Sequence, residues 1–330
     1  MASTQKHTPE SAEDLTLMKI MSRFSTEEAA RAYFEKVRWP NGAVCPHCGN
    51  ADQSRVYKVT ANAAKKIRAG LYKCAECNDQ FTVTVGTVME DSHIPLNKWL
   101  VAFYIMCASK TQVSALQLQR QLELGSYRSA WFLCHRVRFA LMDVLPAGAM
   151  NGTIEADETY IGGKRRGVGG GYVENKTSVV SVVERGGRVR SKVVNKVSEK
   201  SVAKILKANV SPDANLNTDQ SYLYRKIGKE FATHDVVNHS KEEYARHDLE
   251  TGRLATTNTV EGFFGNSKRA IDGTHHHISK KHTGLYFAEL DYKYNTRKVS
   301  DGERTAIGIG KIAGKRLMLR RARKSEGNKL

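Results

Sequence analysis

Glu155, Asp157 and Glu158 are crowded into four positions of the stretch 153–163, whose Ile154 and Ala156 need a core to pack in. Carboxylates this close repel one another when ionised and lose solvation when buried. A divalent cation removes both costs, and hard oxygen ligands suit Mg²⁺ or Mn²⁺. The plain alternative is an edge strand with its acids in water. Two later stretches favour the metal. Residues 215–219 form a short, partly apolar strand that ends in Asp219. In 257–269, Glu261 and Lys268 are seven apart, so two helical turns place them on one face, and Asn258 shares it. An acid on a central strand, one at the end of a later strand and one on a later helix, with a basic residue two turns on, can converge on a pair of metal ions. Such a set performs in-line displacement at a phosphodiester.

These residues need a scaffold that brings them together. After the acidic strand, 177–183 and 188–194 read as strands joined by a hairpin at Gly186 and Gly187. Residues 198–207 read as an amphipathic helix. There follow the strand into Asp219, a helix near 221–231, a strand near 234–238 and the helix carrying Glu261. This is the element order of a ribonuclease-H-like mixed α/β domain, in which the first and fourth strands lie side by side. Between the first two strands, the basic, glycine-rich 162–171 carries Lys164, Arg165 and Arg166 but lacks the ending of a nucleotide P-loop. It reads as a nucleic-acid contact. His275, His276 and His277 are consecutive, so they do not share a helical face, and they read as surface or DNA contact. Lys280 and Lys281 are placed with the DNA contacts.

Charge points the same way. The chain has 52 Lys and Arg against 34 Asp and Glu, a net +18 over 330 residues. That excess favours a polyanion through counterion release. There is no run of eighteen apolar residues and no apolar signal core at the N-terminus, so the expectation is a cytoplasmic, nucleoid-associated chain without a membrane span.

Cys45 and Cys48, then Cys74 and Cys77, form two C-x-x-C pairs 25 residues apart. This spacing suits one structural zinc held by four thiolates. His47 inside the first pair reads as a surface residue. Residues 54–60, 66–73 and 80–85 read as the strands of a zinc ribbon. Before it, 1–24 reads as a weakly ordered lead-in, and Ser25 with Glu28 as a capping box opening a helix that stops before Trp39 and Pro40. From Pro95 to about Leu145 the pattern is helical. A short helix at 114–122, a turn at Leu124 and Gly125, and a longer helix from Tyr127 resemble a helix-turn-helix, with Arg128, Arg136 and Arg138 for DNA. Cys107 and Cys134 read as buried thiols. The tail from Asp301 has nine Lys or Arg against three acids and reads as a loose nucleic-acid arm.

In this combination the chain resembles insertion-sequence transposases of the DDE superfamily, in particular the bacterial group with an N-terminal zinc ribbon that is related to the eukaryotic Merlin transposases. The resemblance spans about residues 20–297. It is carried by Trp39 to Gly42 with Cys45 to Gly49, by 157–163, by Thr218 and Asp219, by 257–269, by Gly273 to His282, and by Tyr294 to Arg297. It implies that Asp157, Asp219 and Glu261 bind two Mg²⁺ or Mn²⁺ ions, that Lys268 accompanies the third acid, and that the enzyme nicks DNA and transfers strands, acting as a homo-oligomer on double-stranded DNA. In some members an Asn replaces the third acid. The alternatives are a zinc-ribbon DNA-binding regulator without catalysis and a cleavage-only nuclease of the same fold. The expected organisation is a multidomain α/β chain: lead-in and helix at 1–40, zinc ribbon at 41–92, helix-turn-helix-like domain at 93–148, ribonuclease-H-like catalytic domain at 149–298, basic tail at 299–330.

Overall fold

The computed structural model describes residues 15–143, 149–162 and 176–318. They fall into two units. One is built within Met1–Ser109, Ala115–Leu141 and Val299–Leu330, the other within Lys110–Ser114 and Met142–Lys298. Lys164, Arg165 and Arg166 lie outside the described residues.

The first unit begins with two helices, α1 (Leu17–Arg23) and α2 (Glu27–Arg38). The end of the lead-in is therefore helical, started by the Thr16 hydroxyl on the Lys19 amide. The cap of α2 is Thr26, which accepts the Ala29 amide at 3.2 Å, one residue later than the expected Ser25 box. The α2 helix ends at Trp39, ahead of Pro40, as the restricted geometry before proline requires.

Three short antiparallel strands follow: β1 (Val56–Lys58), β2 (Tyr72–Cys74) and β3 (Gln80–Phe81). The alternation of 80–85 is thus mostly not strand. The chain turns at Thr82, where the Val85 amide returns to the Thr82 carbonyl and Arg38 donates to the Val83 carbonyl.

Helices α3 (Leu96–Ala108), α4 (Ala115–Gln121) and α5 (Tyr127–Leu141) complete this stretch. Ser126 caps α5 through the Ser129 amide at 3.1 Å. The left-handed residue in the turn is Glu123, not Gly125. Cys107 and Cys134 are buried.

The second unit is a five-stranded sheet with strands β4 (Thr153–Ile161), β5 (Thr177–Glu184), β6 (Val189–Val194), β7 (Asn215–Asp219) and β8 (Thr233–Val237) in the order β6-β5-β4-β7-β8. The first three meander antiparallel, and β7 and β8 join parallel to β4. Gly186 takes a left-handed φ of 70° in the β5–β6 hairpin, where a side chain would be strained. Helix α6 (Glu199–Asn209), with a Ser198–Ser201 capping box, buries Val202, Ile205 and Leu206 on one sheet face with Ile154, Ala156 and Leu216. The expected helix near 221–231 is instead two 3-10 turns, Tyr222–Tyr224 and Ile227–Glu230. Gly228, pressed against the His234 ring, interrupts the helix, while Leu223, Tyr224 and Ile227 are buried in the core and Phe231 packs against them.

A small hairpin, β9 (Ala245–His247) with β10 (Leu254–Thr256), leads into α7 (Asn258–His275), which covers the other face with Val260, Phe263 and Phe264 against Val179 and Val183. Helix α8 (Thr283–Asn295) protects the edge strand β6: Asn295 exchanges hydrogen bonds with the Val189 amide and carbonyl, and Asp291 accepts from the Ser191 amide and hydroxyl.

The last helix, α9 (Asp301–Gly310), belongs to the first unit. This corrects the reading of a loose basic arm from Asp301. Ile309 and Ile312 are fully buried, Lys315 donates to the Ala140 carbonyl, and Arg316 pairs with Glu90 at 3.3 Å and Asp91 at 2.6 Å. These cations serve the fold. Among the described residues, no helix is long and apolar enough to cross a membrane.

Candidate active site and metal centre

The sheet register decides where the acids go. Strand β4 pairs with β7 only over Thr153–Asn215, Ile154–Leu216 and Glu155–Asn217. Beyond this, β4 continues with β5 to Ile161 while β7 continues with β8 to Asp219. The two strands therefore part at their C-terminal ends. Continued by two places, the register sets Asp157 level with Asp219, on the face that α7 covers. Openings outside the carboxyl ends of parallel strands are where open α/β sheets bind ligands.

The third acid is held to this opening by a buried network. Glu155 is fully buried and accepts the Thr259 and Val260 amides at 2.7 and 3.0 Å, which are free donors of the first turn of α7. It also accepts the Thr259 hydroxyl at 2.8 Å and pairs with Arg185 at 2.7 Å. Arg185 in turn donates to the carbonyls of Leu254 and Thr256, and Asn217 donates to the same two carbonyls. The N-terminus of α7 is thereby pinned to β4, β5 and β7. Glu261 stands one turn in from that end. Glu261, Lys268 and Asn258 are all exposed along one face, while Val260, Phe263, Ser267 and Ala270 are buried.

Each of the three acids has one oxygen engaged. Asp157 accepts the Glu158 amide at 2.7 Å, Asp219 accepts the Ser221 amide at 3.0 Å, and Glu261 accepts the Thr257 hydroxyl at 2.6 Å, all on a single oxygen. The other oxygen of each makes no hydrogen bond among the described residues. Burial, and then the charges of Glu158, Asp219 and Glu261, push the Asp157 carboxyl up to about 7 against the opposing pull of the Glu158 amide. This is the electrostatic state of acids that face one another without a protein cation between them. Hard oxygens with free lone pairs and a mutual repulsion fit a divalent cation. The three are not drawn as close as the zinc-type cluster below: among the described residues, only the four cysteines bring three or more potential ligand atoms within 4.8 Å of one another.

Glu158 points to the opposite sheet face, where it accepts the Tyr224 hydroxyl at 2.8 Å, and burial raises its pKa. Of the three crowded acids of β4, only Asp157 faces Asp219 and Glu261 while lacking a neutralising partner.

The four sulfurs of Cys45, Cys48, Cys74 and Cys77 lie within 4.8 Å of one another, with Cys45–Cys77 and Cys48–Cys74 both at 3.7 Å. Tetrahedral zinc with Zn–S bonds of about 2.3 Å requires sulfurs about 3.8 Å apart. Both knuckles close on a left-handed residue, Gly49 at φ 79° and Asn78 at φ 59°. The Cys77 amide draws the Cys74 thiol down to about 7, while burial and the neighbouring sulfurs push the Cys48 and Cys77 thiols up, as expected of four sulfurs this close that cannot all carry charge without a cation among them. His47 is exposed and lies edge-on to Phe81, not in the cluster.

Sequence comparison gives the same division. Residues 149–295 match the ISXO2-like transposase domain, and residues 25–80 match the transposase zinc-ribbon domain. The chain belongs to the insertion-sequence transposases with an N-terminal zinc ribbon. An uncharacterized protein in transposable element ISH50 of Halobacterium salinarum is 27% identical over 286 residues, covering 80% of this chain and 89% of the relative. The transposase-domain match includes Asp157, Asp219, Glu261 and Lys268, and the zinc-ribbon match includes all four cysteines.

The expected DNA contacts fare unevenly. Arg128 is exposed in the first turn of α5, and Lys280 and Lys281 are exposed ahead of α8. Arg138 is 1% exposed, and Arg136 is buried with its guanidinium 4.5 Å from the centre of the Phe132 ring. These two arginines are therefore corrected to packing residues of the transposase: α5 is exposed only over Tyr127, Arg128 and Ser129, and from Leu133 to Arg138 every position is buried, so the helix is enclosed on all sides there. His275 packs on Tyr286, and His276 and His277 are exposed.

Two features of the site were missed in the sequence. Glu155 was read as one of three equivalent acids, although its place two residues before Asp157, on the same strand face, is a usable signal. His239 lies at 3.1 Å from the Glu261 carboxylate and carried no signal at all.

Proposed function

We propose that this transposase binds the ends of its element and cleaves and rejoins DNA strands at the Asp157–Asp219–Glu261 site, within a ribonuclease-H-like domain at 149–298. The observation that carries the reading is the parting of β4 and β7 with an acid on each, opposite an acid on the helix that Glu155 holds in place. The strand order β6-β5-β4-β7-β8, with three antiparallel strands followed by two parallel additions, supports the fold assignment. Asp157, Asp219 and Glu261 would hold two Mg²⁺ or Mn²⁺ ions. Bound there, the ions supply charge neutralisation at the phosphodiester and an activated oxygen nucleophile. The chain itself orients the three carboxylates, and Lys268, two turns from Glu261 on the exposed face of α7, meets a phosphate near the cut.

The zinc ribbon (41–92) and the helices of 93–148 supply end recognition, with Arg128 at the turn of α5 that a helix-turn-helix offers to base edges. Lys280, Lys281 and the basic 163–175 and 319–330 stretches add salt-sensitive affinity for double-stranded DNA. The protein works in the cytoplasm, on the nucleoid, as a homo-oligomer assembled on DNA.

The test is nicking and strand transfer on element ends with Asp157→Asn, Asp219→Asn and Glu261→Gln. Each keeps shape and removes one charge. Activity is expected to fall by two or more orders of magnitude in each, with DNA binding retained, the scale of losing a catalytic electrostatic group. Activity retained in Glu261→Gln but abolished in Asn258→Ala would move the third ligand to Asn258. Metal-independent binding with no nicking by the wild type would make the protein a DNA-binding regulator, and nicking without strand transfer a nuclease.

A further inference from the structure

Helix α7 starts at Thr257, which is 1% exposed, yet the Thr257 hydroxyl makes no capping bond to the helix amides. A threonine in this position ordinarily accepts an amide of the first turn. Here those amides belong to Glu155, and the Thr257 hydroxyl is turned instead to Glu261 Oε1 at 2.6 Å. His239, on the 3-10 turn His239–Lys241 that follows β8, approaches from the other side. Its Nε2 lies 3.1 Å from the same Oε1 and 3.1 Å from the Thr257 hydroxyl oxygen. The Thr257 proton is already given to Glu261, so Nε2–H donates to the Thr257 oxygen, and the same edge of the ring stands against Oε1. The His239 ring is supported by Tyr244, with centroids 5.5 Å apart.

We infer that His239 and Thr257 are positioning residues for the third metal ligand: together they hold Glu261 Oε1 so that Oε2 is presented to the cation. This rests on the reading of Asp157, Asp219 and Glu261 as the metal site. A glutamate on an exposed helix face has three side-chain torsions to fix before it can bind an ion, and fixing them costs conformational entropy. The Thr257 hydroxyl fixes them by a direct bond, and His239 holds that hydroxyl and closes off the other side of Oε1. Groups that orient a ligating side chain typically contribute about 10- to 100-fold to metal affinity. The bond also couples the segment after β8 to the site, since Gln220, next to Asp219, donates to Ser240, next to His239.

The experiment is a Mn²⁺ titration of the zinc-loaded full chain without DNA, reading free Mn²⁺ by electron paramagnetic resonance. Each variant is first checked for an unaltered thermal melt in the absence of Mn²⁺. His239→Ala and Thr257→Val are expected to weaken Mn²⁺ binding about 10-fold. His239→Gln, whose amide nitrogen reaches the Nε2 position, and Thr257→Ser are expected to bind within about 2- to 3-fold of the wild type. Wild-type affinity in both apolar variants overturns the inference, as does a loss that is the same for the apolar and the hydrogen-bonding replacements. Glu261→Gln separates the two levels of the argument: if it leaves Mn²⁺ affinity unchanged, the metal-site reading itself fails, whereas a loss in Glu261→Gln alone removes only the roles of His239 and Thr257.

Discussion

Asp157→Asn should stabilise the metal-free protein. The carboxyl of Asp157 has an ordinary value of 3.8 and is pushed up to about 7 in the folded chain, chiefly because it is buried and then because of the charges of Glu158, Asp219 and Glu261. The sign follows from linkage. Between pH 3.8 and 7 the folded state keeps a proton that the unfolded state has released, so stability falls as pH rises through that window and levels off above it. The full interval would correspond to about 4 kcal/mol. Asp157 is only partly buried at its surface, and solvent screens the repulsion, so about 2 kcal/mol is the expected gain at pH 8. For a domain of about 150 residues that is a rise in Tm of about 4–8 °C. The assay is thermal unfolding in chelator at pH 5 and pH 8, following the second unit, with Mn²⁺ restored in a parallel series. Asparagine should gain over aspartate at pH 8 by more than at pH 5. Saturating Mn²⁺ should stabilise the wild type and not the variant, since an ion bound only to the folded state adds stability by mass action. A variant less stable than the wild type in chelator at pH 8 would refute the reasoning, because Asp157 would then have a partner that the charge arrangement does not show.

Three further outcomes are expected. Cys74→Ser should lower zinc from about one per chain and loosen the first unit, as measured by metal analysis and thermal melting. Glu155→Gln should cost about 2–4 kcal/mol in chemical denaturation, since it leaves half-buried Arg185 beside a neutral group and weakens the cap on α7, and nicking should fall with it. Arg138→Ala should destabilise by about 2–4 kcal/mol with little change in salt-dependent DNA affinity per folded molecule, whereas Arg128→Ala should weaken end binding and leave the melt unchanged.

Much of this was legible in the chain itself where the signal is local. The cysteine pairs, the strands 177–183 and 188–194 with their glycine hairpin, the amphipathic helix 198–207 and the seven-residue spacing of Glu261 and Lys268 depend on short-range periodicity and ligand geometry, and the structure realises each of them. What failed depends on tertiary context. The stretch 80–85 alternates like a strand, but only Gln80 and Phe81 have a partner, because β2 begins at Tyr72 and the antiparallel register leaves no strand opposite 82–85. Arg136 and Arg138 are cationic, which argued for the surface, yet the rest of α5 from Ala130 on is drawn into a core that takes them along. The run after Asp301 is basic in composition, but Ile309 and Ile312 at three-residue spacing anchor its first part, a signal that the charge count concealed.

The contrast between Glu155 and Asp157 locates the site better than any single distance. They are two residues apart on one strand and face the same side, so sequence spacing and face do not distinguish them. Glu155 sits where β4 and β7 still pair, and the protein supplies it with Arg185 and two helix amides, which neutralise and satisfy it. Asp157 sits just past the parting of the strands, and the charges that act on it are those of Glu158, on the opposite face, and of Asp219 and Glu261. Under the proposed function, a fold that satisfies one buried carboxylate in full and leaves the next among acids would place there a charge for a cation to neutralise. The second oxygens of Asp157, Asp219 and Glu261 would be its hard ligands, and the parting of β4 from β7 would give a phosphodiester its approach from solvent.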